Sequence, residues 1–140
     1  MRILAIDHGT KRMGIAVSDE LQTIAQPLEY IPAKPFDEFV SRLQTIIGQQ
    51  KVALILVGLP RNMDGSYGPA AALVREFVSA LKAVVAVPIQ TWDERLTSVQ
   101  ANRYLIGADV RRSKRKERVD QVAAAILLQS YLDSRMEIDR

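Results

Sequence analysis

The sequence predicts an α/β domain with a mixed five-stranded sheet flanked by helices. Three observations carry this. Short segments of strand character, two of them joined by Asp7-His8-Gly9-Thr10, fill the first 32 residues. An unbroken apolar run, Val52 to Val57, follows later in the chain. Segments of helical period lie between and after the strands.

Ile3 to Ile6 is an apolar run ending in the turn Asp7-His8-Gly9-Thr10, a strand entering a tight connection. Met13, Ile15 and Val17 alternate with Gly14, Ala16 and Ser18, which predicts a second, antiparallel strand. A third strand is expected within Gln26 to Ile31, ended by Pro32 and Pro35. Phe36, Phe39, Val40, Leu43, Ile46 and Ile47 recur at helical spacing and predict an amphipathic helix up to Gln50. Val52 to Val57 has no polar alternation, so it is expected to be buried on both faces, in the middle of a partly parallel sheet.

Pro69 suits the first turn of a helix whose inner face is Leu73, Val74, Phe77, Val78 and Leu81. Val87 to Trp92 is the fifth strand, with Asp93 and Glu94 at its C-terminal end. Thr97 to Gln100 has the form of a capping box, so a short helix ending near Gly107 is expected. Val119 to Tyr131 is helical in composition and, with Ala123 to Leu128 entirely apolar, largely buried. The resulting order, β-β-β-α-β-α-β-α-α, is the layout of the RNase H-like fold.

A chain of 140 residues with 48% apolar content fits a single domain, 1–140, with one core. No stretch approaches the roughly 20 apolar residues that span a bilayer. The apolar run at the N-terminus stops at Asp7, too short for a signal peptide. The absence of cysteine excludes a disulfide framework and a thiolate zinc site, and fits a cytoplasmic setting with no membrane partner. Charge is unevenly distributed. Arg111, Arg112, Lys114, Arg115, Lys116 and Arg118 bring six positive charges against the single negative of Glu117, a net +5, which leaves the rest of a +3 chain at −2. Such a patch on a nearly neutral body points to one cationic surface, not to general basicity.

Three carboxylates stand out by position. Asp7 ends the first strand, Glu94 follows the last, and Asp120 lies in the first turn of the final helix. Were the first and last strands to approach each other, Asp7 and Glu94 would share one edge of the sheet, with Asp120 brought over the same point. Clustered acids repel one another unless cations hold them, and hard oxygen ligands suit Mg²⁺ or Mn²⁺. Two such ions about 4 Å apart activate a water and stabilise a leaving oxygen in phosphodiester cleavage. Simpler roles stand beside this one. Asp7 before Gly9 is able to close an Asx-turn, Glu94 to pair with Arg95, and Asp120 to favour the N-terminal pole of its helix.

Four blocks in order over essentially the whole chain resemble the YqgF family: Ala5 to Asp19 (AIDHGTKRMGIAVSD), Val57 to Pro69 (VGLPRNMDGSYGP), Thr91 to Ser98 (TWDERLTS) and Val119 to Leu132 (VDQVAAAILLQSYL). That family is described as Holliday-junction resolvases and as nucleases processing the ribosomal RNA precursor of the small subunit. The resemblance implies an RNase H-like nuclease whose metal-binding acids map onto Asp7, Glu94 and Asp120, with Asp7 bridging two Mg²⁺ or Mn²⁺ ions. Asp93 adjoins Glu94, and neighbours on a strand point to opposite faces, so only one of the two reaches the metals directly. His8 receives no catalytic role.

Substrate contacts are expected from Lys11 and Arg12 in the turn beside Asp7, where a phosphate approaches. The loop Gly58 to Pro69 leaves the C-terminal end of a central strand, where open α/β sheets bind ligands, and Arg61 and Asn62 offer donors there. Arg111, Arg112, Lys114 and Arg115 form a backbone clamp that gives affinity without sequence readout. Trp92 is expected to pack, and Tyr67 is the better stacking candidate. The resemblance implies structured RNA precursor or branched DNA as the partner class, and a four-way junction favours a homodimer. Two other readings compete. An actin- or sugar-kinase-like nucleotide binder shares the core and an Asp-Gly-Thr turn, but needs a second such domain. A non-enzymatic RNA-binding assembly factor keeps the fold, yet gains nothing from three acids facing phosphate.

Overall fold

Alternating and continuous apolar runs order themselves around one strand, β1 (Arg2–Asp7), in a computed structural model that describes residues 1–62, 64–93 and 123–135. β1 pairs antiparallel with β2 (Arg12–Ser18), which pairs antiparallel with β3 (Ala25–Pro32). After helix α1 (Phe36–Gln50), β4 (Val52–Leu59) returns parallel to β1 on its other side. After helix α2 (Pro69–Lys82), β5 (Ile89–Asp93) adds parallel to β4. The order is β3-β2-β1-β4-β5, a mixed five-stranded sheet as expected. β4 lies between two parallel neighbours, which is why it has no polar alternation.

Strand alternation sorts the side chains into two layers. Leu4, Ile6, Ile55 and Val57 face α1 and α2, where Phe39, Leu43, Ile46, Val74 and Leu81 close the larger core. Ile3, Ala5, Ala16 and Leu56 face the other way, against Ala124, Leu127, Leu128 and Leu132 of the helix over residues 123–135. Gln129 of that helix accepts a hydrogen bond from the Ala25 amide (2.9 Å) and donates to the Thr23 carbonyl (3.0 Å), pinning the helix to the start of β3. Among the described residues, no helix is long and apolar enough to cross a membrane.

Two local expectations shift. β5 begins at Ile89, not Val87. Pro88 has no amide to give to a ladder, and it contributes only its carbonyl, which accepts from Ile55 N at 2.9 Å. Leu73 is 50% exposed, and Ala71 takes its place in the buried stripe with Val74, Phe77, Val78 and Leu81. At 100° per residue, position 73 falls roughly 100° off the centre of that stripe. The capping box and short helix expected over 97–107, the basic run and residues 119–122 lie outside the described residues.

Candidate active site

β1, β4 and β5 run parallel, so their C-terminal ends emerge at one end of the sheet, with Asp7 closing β1 and Asp93 closing β5. β1 and β5 are not neighbours. β4 separates them, so they stand two strand spacings apart, about 9.5 Å. Asp7 alternates with Ala5 and Ile3 and so belongs to the face covered by the 123–135 helix.

Its surroundings on that face follow from the register. Asp7 pairs with Gly14, and Gly14 pairs with Tyr30, which sets carboxylate, bare backbone and aromatic ring in one row. A methyl group placed on Gly14 would stand 3.4 Å from the Tyr30 ring, 3.5 Å from Asp7 Cβ and 3.8 Å from Ala124 Cβ. The glycine therefore leaves a gap that the Asp7 carboxylate opens onto. That gap belongs to an open-sided cleft of about 270 Å³, lined by Asp7, Gly9, Thr10, Lys11, Arg12, Gly14 and Tyr30. At Gly9 any Cβ would collide with the Arg12 carbonyl oxygen, so only glycine allows a turn tight enough to fold Lys11 and Arg12 back beside Asp7. Arg12 lays its guanidinium over the Tyr30 ring, 4.2 Å from the centroid.

The other predicted residues distribute as follows. His8 points to the opposite face, its ring 5.1 Å from that of Phe77, and burial lowers its pKa below the usual histidine value. Asp93, on the parity of Ile89 and Thr91, also lies off the Asp7 face, and its carboxylate stands 3.6 Å from Arg61 Nη1. Arg61 further donates from Nε to the Gly65 carbonyl at 2.6 Å. Asn62 exchanges backbone bonds with Ser66 (2.8 Å) and Gly65 (2.9 Å), a closed turn that Gly65 completes at φ +92°. Arg61 and Asn62 thus brace their own loop. Tyr67, 44% exposed, carries the guanidiniums of Arg61 and Arg75 at 5.0 and 4.4 Å from its ring centre.

Trp92 packs as expected, edge-on to Tyr131 at 5.2 Å, with Nε1 reaching Ser130 Oγ at 3.4 Å. This puts Gln90 and Trp92, alternating with Asp93, on the face of Asp7. Glu94, Asp120, Arg111, Arg112, Lys114 and Arg115 lie outside the described residues. Among the described residues no three or more His, Cys, Asp or Glu gather to hold a metal, and two of the three expected acids are not among them. Two parts of the cleft, Gly14 and Tyr30, were not singled out from sequence. An isolated glycine inside an alternating strand was the available signal, since it marks close approach or open space.

Sheet order and a strand-end acid define the class as an RNase H-like fold. Thermus thermophilus RuvC shares it with a TM-score of 0.55 and 15% identity over 98% of this chain and 97% of that one. A fowlpox virus Holliday junction resolvase does so with a TM-score of 0.56 and 14% identity over 96% and 99%. The family model described as RuvX, Holliday junction resolvase, matches residues 1–134. A relative from Caldanaerobacter subterraneus subsp. tengcongensis, named "Putative pre-16S rRNA nuclease", is 47% identical over 96% of this chain and 97% of its own length. One of the same name from Geobacillus kaustophilus is 47% identical over 96% and 99%. The chain belongs to the RuvX family, and its class of activity is that of a nuclease.

Proposed function

We propose that the chain hydrolyses phosphodiester bonds in structured nucleic acid, a ribosomal RNA precursor or a branched DNA, with divalent ions held by Asp7, Glu94 and Asp120. The observation that carries this reading is the Asp7 carboxylate opening onto a cleft with Lys11 and Arg12 on its rim. Gly14 leaves room beside the carboxylate for a cation, and the oxygen donor suits Mg²⁺ or Mn²⁺. Parity supports Glu94 over Asp93 as the second ligand. Asp93 lies off the Asp7 face and stands 3.6 Å from Arg61 Nη1, which speaks against Asp93 in that role. Asp120 precedes Ala124 by four residues in sequence, and Ala124 packs at the Gly14 row.

Bound there, such ions supply an activated water and charge stabilisation of the leaving oxygen. The chain itself binds and orients. Lys11 and Arg12 draw the phosphate into the cleft, and Arg111, Arg112, Lys114 and Arg115 hold the flanking backbone without reading sequence. A reducing cytoplasmic setting and, on a four-way junction, action as a two-fold dimer complete the proposal.

The test is cleavage of a four-way DNA junction and a ribosomal RNA precursor side by side, in Mg²⁺ and in Mn²⁺. Loss of cleavage in Asp7→Asn, with binding kept, is the expected result, and the preferred substrate decides between the two roles. Tight binding without cleavage of either would instead make the chain a non-enzymatic RNA-binding factor.

A further inference from the structure

We propose that Tyr30 is a positioning residue: its ring holds the Arg12 guanidinium over the cleft as a fixed phosphate clamp, so that the bound strand leaves the cleft across β2 and β3. The inference rests on the reading that this cleft takes nucleic acid, and it assigns the side on which the backbone flanking the reacting phosphate is gripped.

Arg12 and Tyr30 lie on neighbouring strands, diagonally offset by two residues and so on one face, since Arg12 pairs with Pro32 while Gly14 pairs with Tyr30. Both line the cleft that holds Asp7. Arg12 is exposed and would sample many rotamers if unsupported, a cost in entropy for any contact it makes. The half-buried Tyr30 ring, with the Arg12 guanidinium 4.2 Å from its centre, removes much of that freedom while the guanidinium keeps its donors for phosphate. Gly14, between Tyr30 and Asp7, carries no side chain to displace the stack or to screen it from Asp7. The cleft is thereby divided, with anionic Asp7 on β1 and cationic Arg12 over β3. With the reacting phosphate at the Asp7 end and the flanking backbone drawn to Arg12, a phosphodiester strand runs toward β3, the edge of the sheet among the described residues.

The experiment is binding of a four-way DNA junction to the full chain, in EDTA so that nothing is cut, across a salt series. Arg12→Ala is expected to weaken binding about tenfold and to flatten the log K against log salt slope by about 0.7 to 0.9, the value of one phosphate contact. Tyr30→Leu should reproduce both changes and add nothing in the Arg12→Ala background, whereas Tyr30→Phe should behave as wild type. Should Tyr30→Leu fold poorly by circular dichroism, pentafluorophenylalanine at that position keeps the ring's shape and reverses its quadrupole, and the same loss is expected. Wild-type slope and affinity in these ring variants, or an equal loss with and without Arg12, would overturn the proposal while leaving the cleft a nucleic-acid site. A wild-type chain that does not bind the junction or precursor RNA removes both.

Discussion

On the face covered by α1 and α2, the sheet presents Leu4, Ile6, Ile55 and Val57 to Phe39, Leu43, Val74 and Leu81, a layer of large interlocked side chains. On the other face, Ala5 and Ala16 meet Ala124 and Ala125, and the row at the strand ends contains Gly14. The first layer is the larger of the two buried clusters. The second keeps side chains short where the 123–135 helix passes the Gly14 row beside Asp7. Burial is concentrated where no chemistry is proposed, and space is kept where it is.

This division can be broken at either face. Asp7→Asn is expected to lower cleavage by about 10³-fold or more, since a lost metal ligand forfeits several kcal/mol of charge stabilisation. Its urea midpoint should stay near that of wild type, and a large drop would mean that Asp7 is a structural residue. Leu43→Ala, at a fully buried position of the α1 layer, should cost about 2–5 kcal/mol in urea unfolding while turnover per folded molecule is unchanged. Altered turnover at full folding would couple the two faces.

Smaller effects sharpen the same contrast. Gln129→Ala leaves the Ala25 amide and Thr23 carbonyl without their side-chain partner and is expected to cost about 1–2 kcal/mol. It should also reduce cleavage, because it loosens the helix over the site, and unaltered cleavage would show that the helix holds without that anchor. The smallest effect concerns acid. Asp19 accepts from the Ile24 and Thr23 amides and the Thr23 hydroxyl, which lower its pKa from the ordinary 3.8 to about 2. The folded state therefore favours the ionised form, so the stabilisation is complete above the unfolded value near 3.8 and fades as pH falls towards about 2. Asp19→Asn should flatten stability against pH in that window only, and an unchanged curve would assign acid sensitivity elsewhere.

Most of the fold was legible because period and burial coincide. The continuous run Val52 to Val57 placed β4 between parallel neighbours, and the helical repeat from Phe36 marked α1. Where prediction slipped, a local property outweighed hydrophobicity, as at Pro88, which cannot donate to the ladder, and Leu73, which sits beside its stripe. Asp7 was legible from its place at a strand end. Tyr30 was not, because its closeness to Asp7 depends on the pairing Asp7–Gly14–Tyr30 across three strands, which no single segment encodes. Arg61 read as a substrate donor by its loop position, and only the folded turn reveals its bonds to Gly65 and Asp93.

The Gln129 anchor joins residues 104 positions apart in the chain. During synthesis, β1, β2 and β4 can pair and α1 and α2 can cover them well before residues 123–135 have emerged from the ribosome. Until then the Ala5, Ala16 and Leu56 surface is bare. This second core layer is thus closed after the first, and a nascent chain is folded on one side of its sheet before the other is covered.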